Sequence, residues 1–293
     1  MKLLFLNVFT LFALFSYAQK GSTKLVSEYE DTLKIIAKKI MNEETEEARE
    51  NANKAFLEIF TEVLQYEKSF KYPFDSLKTV SNIFAPDNSF RIFTWQLKKK
   101  NNSYHYYGII HYHNKNKKKY ELIQLEDNSN NIRNVEKTKL DAKNWYGCIY
   151  YDIIHIKKKG RIFYTLLGLD MHNPYSTKKV IDIMQFSGKN KVEFGLPIFK
   201  NNQEQEIVRE IMEYDAKTSI SLRYEEKEKR IIFNNLVPAR KDLEGLEEYY
   251  IPDGTFNAYV YKKDKWWLKE DVDIRNKANI IKSRKLKQGL IPK

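Results

Sequence analysis

The densest group of residues that could do chemistry is a set of histidines between positions 105 and 113. His111 and His113 are two residues apart, and on a β-strand this spacing places both imidazoles on one face, about 7 Å apart along the backbone. Two such imidazoles can bind a metal ion when a neighbouring strand supplies a third ligand. Solvated or hydrogen-bonded imidazoles are the alternative, because no zinc-protease signature accompanies them. His111 and His113 are therefore candidate metal ligands, although no cofactor is expected.

Aromatic side chains offer a second kind of chemistry, because an exposed ring can stack on a sugar or on another flat ligand. The chain has 20 tyrosines, 17 phenylalanines and only 10 glycines, a balance that favours strands. Trp266 and Trp267 must point to opposite faces if both lie in one strand, so we expect one in the core and the other at the surface. Tyr107 is the third candidate ligand-binding residue. Core packing is the alternative role of each ring.

A polar loop is predicted where Asp170, His172 and Asn173 follow an apolar strand. Loops at strand ends often carry function, but Asp, Asn and Pro are also common turn formers, and we favour the turn. The sequence contains no nucleophile elbow, phosphate-binding loop, dinucleotide fingerprint or zinc-finger spacing. These observations favour a non-catalytic binding protein with an aromatic-rich β surface. A secreted hydrolase, metal-dependent in one version, and an envelope scaffold component are the alternatives.

The N-terminus has the three parts of a cleavable export signal. Lys2 supplies a positive charge, residues 3–15 are almost entirely apolar, and small residues predict cleavage between Ala18 and Gln19. The apolar run is shorter than the roughly 20 residues that a membrane-spanning helix needs, and an uncleaved anchor is the alternative. We expect a soluble, exported protein in the periplasm, on the outer surface or in the medium. A glycan or another envelope component is the expected partner.

The formal net charge of +12 does not by itself predict a nucleic-acid partner. Most lysine clusters separate two apolar alternating segments, as turn residues do, and arginine is comparatively scarce, so we expect solvated turns and no bound nucleic acid. Residues 277–293 are basic and contain no acidic residue, which predicts a solvated tail or a segment attracted to an anionic surface. Cys148 is the only cysteine, so an internal disulfide is excluded and a buried, inert thiol is expected.

The first elements after the export signal are predicted to be helical, because apolar residues recur there every three or four positions. Acidic residues follow Asn42, where Asn42 or Thr45 can cap free backbone N–H groups at the start of a second helix. A hairpin of two helices and one long broken helix both fit this pattern. The first apolar stripe consists of Leu25, Tyr29, Leu33, Ile36 and Ile40.

The helical pattern ends at residues 71–74, and from Ile83 onward the apolar period changes to two, which is typical of strands. Short, lysine-rich connections predict antiparallel pairing of sequence neighbours. Residues 201–212 are predicted to be a short helix. The predicted strands are residues 90–97, 104–112, 120–125, 148–156, 162–169, 180–186, 192–194, 219–224, 230–234, 256–261 and 266–269.

The elements together predict an α+β, mainly β protein, with a helical N-terminal segment followed by antiparallel β-meander sheets that form a sandwich or an open barrel. Two β subdomains that meet near Asn201 are one alternative. Similar turns at Pro86-Asp87 and Pro252-Asp253 resemble those that open strands in some propeller blades, so a degenerate β-propeller is another. The predicted divisions are a signal peptide (1–18), a helical segment (19–70), a β domain (71–276) and a basic tail (277–293).

Six short runs carry a family resemblance when they are taken together. They are residues 85–95 (Ala-Pro-Asp-Asn-Ser-Phe-Arg-Ile-Phe-Thr-Trp), 145–147, 164–168, 221–224, 251–254 and 270–273. In combination they resemble an uncharacterised family of secreted Bacteroidota proteins. The resemblance spans most of the chain after the export signal. It implies export and one continuous domain, and it brings no known activity and no catalytic residue.

Overall fold

The computed structural model describes residues 23–114, 117–158, 160–188, 191–200 and 206–274. Strands account for 47% of the structure and helices for 22%, which confirms the prediction of a mainly β protein with a helical N-terminal part. The predicted cleavage site between Ala18 and Gln19 and the predicted basic tail, residues 277–293, lie outside the described residues.

Two helices, α1 (Thr23–Asn42) and α2 (Glu46–Val63), form the N-terminal layer, and a 3-10 turn (Glu67–Lys71) follows them. The Thr45 hydroxyl accepts a hydrogen bond of 3.1 Å from the backbone N–H of Ala48, so the predicted cap is present. The Tyr29 hydroxyl of α1 donates to the Glu62 carboxylate of α2 at 2.5 Å, so the helices pack as a hairpin. Within the part of the chain that the structure describes, no helix has the length and apolarity that a membrane span requires.

The strands form three sheets, which are antiparallel apart from a short parallel pair between β10 and β16 in the third sheet. The first sheet has the order β1-β2-β3-β4, the second β5-β9-β8-β7-β6, with β12 also paired to β8, and the third β11-β10-β16-β15-β14-β13. The strands are β1 (Ser81–Phe84), β2 (Phe90–Lys98), β3 (Tyr104–Asn114), β4 (Lys119–Glu126), β5 (Leu140–Asp141), β6 (Ile149–Lys158), β7 (Arg161–Asp170), β8 (Ser176–Ser187), β9 (Lys191–Phe194), β10 (Phe199–Lys200), β11 (Glu206–Ile207), β12 (Arg209–Asp215), β13 (Leu222–Glu225), β14 (Arg230–Pro238), β15 (Tyr250–Lys262) and β16 (Lys265–Lys269).

The helices and the three sheets are stacked in four layers, with an apolar core in each of the three gaps. Trp95 of β2 lies in the core beneath the helices, and its ring centroid is 5.2 Å from that of Phe56. Leu166 and Leu167 are neighbours on β7 and enter the cores on opposite faces of the second sheet, because successive strand residues alternate. The predicted sandwich is therefore confirmed. The face-to-face stacking shows that the propeller alternative is wrong, and none of the sheets closes into a barrel.

The predicted helix at residues 201–212 is wrong for the described residues 206–212, which lie in β11 and in the first part of β12. Arg209 and Ile211 face the first sheet, whereas Met212 enters the core against the third sheet. A strand that is covered on both faces has apolar residues at helix-like spacings, so the sequence pattern was ambiguous there. Because β12 pairs with β8, the second sheet includes strands from both sides of Asn201.

Candidate binding site

The two histidines that the sequence nominated as metal ligands lie on the face of β3 that points towards the helical layer. The His111 ring is buried, with its centroid 5.1 Å from that of Phe70 and 5.5 Å from that of Tyr120. Burial and the guanidinium of Arg91 lower the pKa of His111 to about 3. The His113 ring is exposed and lies 5.0 Å from the Tyr120 ring. Among the described residues, no three His, Cys, Asp or Glu side chains are grouped so as to hold a metal ion.

The three aromatic candidates do not share one surface: Tyr107 lies on the first sheet, and the two tryptophans lie on opposite faces of the third. Trp266 is buried between the second and third sheets, and its indole N–H donates to the Thr165 hydroxyl at 3.1 Å. Trp267 points to the opposite face and is half-buried, so the predicted alternation is confirmed. Tyr107 lies on the first sheet and stacks on Trp95 with ring centroids 5.8 Å apart. Because the second sheet stands between them, the structure does not bring Tyr107 and the tryptophans together.

A pocket of about 600 Å³ lies where the second sheet meets two segments from elsewhere in the chain. These segments are the loop formed by residues 129–137 and the 3-10 turn Glu247–Tyr249. Carboxylates from three separate parts of the sequence line the same cavity, and we name it the acidic pocket. Its polar lining consists of Ser129, Asn134, Glu136, Lys137, Tyr146, Lys178, Glu213 and Glu247.

Asp170 holds the Tyr146 wall of the acidic pocket in place. Its buried carboxylate accepts hydrogen bonds from the hydroxyls of Tyr146 at 2.8 Å and Tyr106 at 2.9 Å, and from the backbone N–H of His172 at 2.7 Å. The Tyr106 hydroxyl in turn accepts the backbone N–H of Met171 at 2.7 Å. Burial and the nearby Asp170 charge raise the pKa of both tyrosines, so their hydroxyls stay protonated as donors.

Glu213 of β12 is the best-connected carboxylate in the acidic pocket. It faces Lys178 across the strand pair, with Nζ 3.1 Å from Oε2, and its Oε1 accepts the Ser176 hydroxyl. The His172 imidazole lies between two carboxylates, 3.8 Å from Glu213 and 3.9 Å from Asp170. Burial, followed by the Lys178 charge, lowers the pKa of His172. The polar loop singled out in the sequence is therefore one border of the acidic pocket.

The same loop is also the turn that the sequence predicted. The Asn173 carboxamide oxygen accepts the backbone N–H groups of Tyr175 at 2.7 Å and Ser176 at 3.0 Å. His172 adopts a positive φ of 46°, a conformation that tight turns often require. The segment that follows Asp170 is therefore both the predicted turn and a border of the acidic pocket.

Glu210 belongs to β12, and Glu136 and Glu247 lie beside this strand. The backbone carbonyl of Glu136 accepts the N–H of Val208 at 2.8 Å, and its carboxylate accepts the N–H of Ile211. Desolvation is the largest cause that raises the pKa of all three glutamates, and nearby carboxylates add to it: Glu247 acts on Glu136, both act on Glu210, and Glu213 acts on Glu247. For Glu210 the value is about 7, with burial as the largest cause, although it accepts the Tyr259 hydroxyl at 2.6 Å.

Asp127 and Gly147 fix the positions of the segments that carry Ser129 and Tyr146. The Asp127 carboxylate accepts the backbone N–H of Tyr106 at 2.9 Å and that of Ser129 at 3.0 Å. The Ser129 hydroxyl then accepts the Gly147 N–H at 2.8 Å, which ties the loop to the segment carrying Tyr146. A Cβ at position 147 would lie 2.6 Å from both carboxylate oxygens of Asp127, so any larger residue there requires that carboxylate to move.

Two exposed tyrosines are carried by the segments that border the acidic pocket. Tyr175 is 76% exposed and directly precedes Ser176, whose hydroxyl donates to Glu213. Tyr249 is 44% exposed and lies in the same 3-10 turn as Glu247. Large exposed rings beside a polar pocket are typical of surfaces that contact a ligand.

The acidic pocket combines carboxylate acceptors with ammonium donors, and the segments that border it carry two exposed tyrosine rings. Its carboxylates accept hydrogen bonds from hydroxyl or ammonium groups, Lys178 donates, and the two tyrosine rings are available for stacking. Sequence reasoning found the loop at Asp170 but missed Glu136, Glu213 and Glu247, since each is one of many glutamates in the chain and nothing near it in sequence distinguishes it.

No known protein family matches this chain, and no curated protein or solved structure shows significant similarity to it. We therefore base the functional interpretation on the geometry of the acidic pocket. The expected membership of a secreted Bacteroidota family stays a prediction.

Proposed function

We propose that this chain is a non-catalytic binding protein that recognises a polyhydroxylated ligand, such as a glycan, in the acidic pocket. The observation that carries the proposal is the combination of pocket carboxylates with the exposed rings of Tyr175 and Tyr249 on the bordering segments. Saccharides present hydroxyl donors around their rim and C–H groups on their faces. Carboxylates and tyrosine rings match these two features respectively.

The arrangement supports binding more than chemistry because most of the acidic groups are held by protein partners. Glu213 is engaged by Lys178 and Ser176, and Asp170 accepts two tyrosine hydroxyls. Carboxylates fixed in this way are oriented acceptors, and preorganised acceptors lower the entropic cost of binding. The cavity of about 600 Å³ falls in the size range of small-ligand sites.

A thermal-shift panel of neutral and charged glycans, followed by calorimetric titration of each hit, tests the proposal. We expect at least one glycan to bind, and we expect Glu213→Gln to weaken its binding by about tenfold, because a charged acceptor is replaced by a neutral one. Glu58→Gln, at an exposed site on α2, is the matched control and should bind as the wild type does. A panel without any hit would contradict the proposal.

Glycoside hydrolysis is a second candidate function, favoured by one specific observation. Partial desolvation and the Glu213 charge raise the pKa of Glu247, whereas Glu213 is ion-paired with Lys178. An acid with a raised pKa beside a second carboxylate is the kind of pairing that glycosidases use. Release of reducing ends from a bound glycan, abolished in Glu247→Gln, would replace the binding proposal with an enzymatic one.

A metal-dependent hydrolase is tested separately through the two histidines of β3. In this version His111 and His113 supply imidazole ligands. Stoichiometric metal in protein purified without chelator, lost on His111→Ala, would support it. Protein that is free of metal under the same conditions would exclude the metal-dependent hydrolase.

We also propose that the protein acts outside the inner membrane. The support is the charged, apolar and small-residue order of residues 1–18. Chain recovered from the periplasm or the medium of an expressing bacterium should begin at Gln19. Leu11→Lys, which interrupts the apolar run, should leave the full-length chain inside the cell. Equal export of both chains would contradict this part of the proposal.

A further inference from the structure

Hairpin turns from the first and second sheets meet at one end of the molecule. The turn between β3 and β4 follows Tyr112 closely, and the turn between β8 and β9 follows Phe186 closely. The rings of these two residues are 5.5 Å apart, so the two turns lie side by side. The turn between β6 and β7 joins them, since Tyr164 near the start of β7 pairs with Met184 near the end of β8.

A turn of the third sheet lies at the same end of the molecule. Phe163 of β7 and Tyr261 of β15 have ring centroids 6.4 Å apart, across the gap between the second and third sheets. Tyr261 is the second-last residue of β15, next to Lys262, after which the turn to β16 begins. Turns from all three sheets therefore converge, although Lys117 and Lys263 are 146 residues apart in sequence.

These turns carry an exposed basic surface, which we name the basic end. Glu121 is an acidic residue of the same region, but Lys117 already pairs with it at 2.7 Å. Within the described residues, no ion pair is formed by Lys118, Lys157, Lys262 or Lys263. The exposed cations of the basic end are Lys117, Lys118, Lys119, Lys157, Arg161, Lys191, Lys262 and Lys263.

An apolar side chain projects from the same surface. Ile162 is 41% exposed and directly follows Arg161 at the tip of the β6–β7 hairpin. An exposed isoleucine gains no free energy from a purely ionic partner, because its apolar surface stays in water. It gains free energy when it enters the boundary between lipid headgroups and acyl chains, while neighbouring cations stay with the headgroups.

We propose that the basic end docks on an anionic phospholipid bilayer, with its lysines over the headgroups and Ile162 inserted at the interface. Lysines near an anionic bilayer are attracted without specific geometry, which suits cations spread over several hairpin tips. A nucleic acid would favour arginine forks and exposed rings for stacking, whereas the Phe163 and Tyr261 rings at this end pack against each other.

The proposal is independent of the function proposed for the acidic pocket. Strand β7 begins at Arg161 in the basic end and finishes at Asp170 beside the pocket. Ten extended residues span about 30 Å, so a protein docked through its basic end would keep the acidic pocket open. The two surfaces can therefore be tested one at a time.

Vesicle co-sedimentation of the purified protein tests the docking surface. We expect partition onto an equal mixture of phosphatidylglycerol and phosphatidylcholine at low salt, and none onto pure phosphatidylcholine. The triple variant Lys118→Gln, Lys157→Gln, Lys262→Gln should partition about 100-fold less, since each lysine contributes about fivefold. Circular dichroism and thermal melting verify that the variant is folded.

A matched variant distinguishes the effect of the basic end from the effect of the protein's net charge. Lys34→Gln, Lys38→Gln, Lys78→Gln removes the same charge from exposed positions on α1 and on the segment before β1, and it should partition as the wild type does. Ile162→Ser should weaken vesicle binding but leave retention on a polysulfated resin unchanged. Equal loss in both triple variants, equal binding to neutral vesicles, or retention on the resin without vesicle binding would each overturn the proposal.

Discussion

Gly147 lies against the Asp127 carboxylate, which accepts hydrogen bonds from the backbone N–H of Tyr106 and from both the backbone N–H and the hydroxyl of Ser129. The Asp127 oxygens are 2.6 Å from the position that a Cβ would take, and Asp127 also holds Tyr106 and Ser129. Gly147→Ala should lower the free energy of unfolding by about 1–3 kcal/mol, because the carboxylate can move only by releasing a partner. Urea denaturation followed by circular dichroism measures the change.

A double-mutant cycle shows whether the clash is the cause. In an Asp127→Ala background the obstacle is gone, so adding Gly147→Ala should cost much less than it does in the wild type. Equal costs in both backgrounds would place the effect elsewhere.

Glu210 should make stability fall as pH rises. Its pKa is raised from 4.5 to about 7 by burial, so the folded protein holds a proton that the unfolded chain has released. Unfolding therefore becomes easier between about pH 5 and about pH 7, by up to on the order of 3 kcal/mol from this residue. Equilibrium denaturation at several pH values measures the slope.

Glu210→Gln is the informative variant, because its amide oxygen can still accept the Tyr259 hydroxyl. We expect a shallower fall of stability over the same pH range. Glu136 and Glu247 face Glu210 and titrate in the same direction, so part of the slope should persist. An unchanged slope would show that Glu210 ionises normally in the folded state.

At the scale of elements, β12 is held by a buried ion pair. The Arg209 Nε lies 2.8 Å from Asp182 of β8, and another guanidinium nitrogen donates to the Val135 carbonyl at 2.7 Å. Arg209→Met should destabilise the protein by about 3–5 kcal/mol, since Asp182 becomes a buried charge without its partner. Chemical denaturation detects the loss.

The variant that replaces both charges is the control. Arg209→Met with Asp182→Leu removes the uncompensated carboxylate, so much of the stability should return. A double variant as unstable as Arg209→Met would mean that the bond to Val135, and with it the loop of the acidic pocket, carries most of the effect.

The sequence predicted most helices and strands because the spacing of apolar residues differs clearly between the two. Spacings of three and four up to Val63 and of two beyond Ile83 indicated helices and strands, and lysine-rich turns indicated hairpins. It failed at β12, where Arg209 and Met212 face opposite covered sides and the pattern resembles a helix. The pairing of β12 with β8 joins strands that are not sequence neighbours, and no local pattern specifies such a partner.

At the scale of the whole molecule, stacking creates both proposed surfaces. Glu136, Glu213 and Glu247 meet only because a loop, a strand and a 3-10 turn from distant parts of the sequence converge. The sequence therefore nominated Trp266, Trp267 and Tyr107, which are conspicuous by residue type. Tyr107, however, lies on the first sheet, and the two tryptophans lie on opposite faces of the third.

The two ends should work independently. The variant Lys118→Gln, Lys157→Gln, Lys262→Gln should bind any glycan ligand with unchanged affinity, because the acidic pocket lies at the other end of β7. Calorimetric titration with and without anionic vesicles measures this. A changed affinity would indicate that the two surfaces are coupled.

We expect ligand binding at the acidic pocket to depend most on the exposed rings of Tyr175 and Tyr249. Calorimetric titration of the best glycan hit into Tyr175→Ala, Tyr249→Ala and Trp267→Ala tests their role most directly. We predict about tenfold weaker binding for each tyrosine variant, as expected for the loss of one stacking ring, and wild-type binding for Trp267→Ala. Unchanged binding in both tyrosine variants, or a loss confined to Trp267→Ala, would contradict the assignment of the acidic pocket as the binding site.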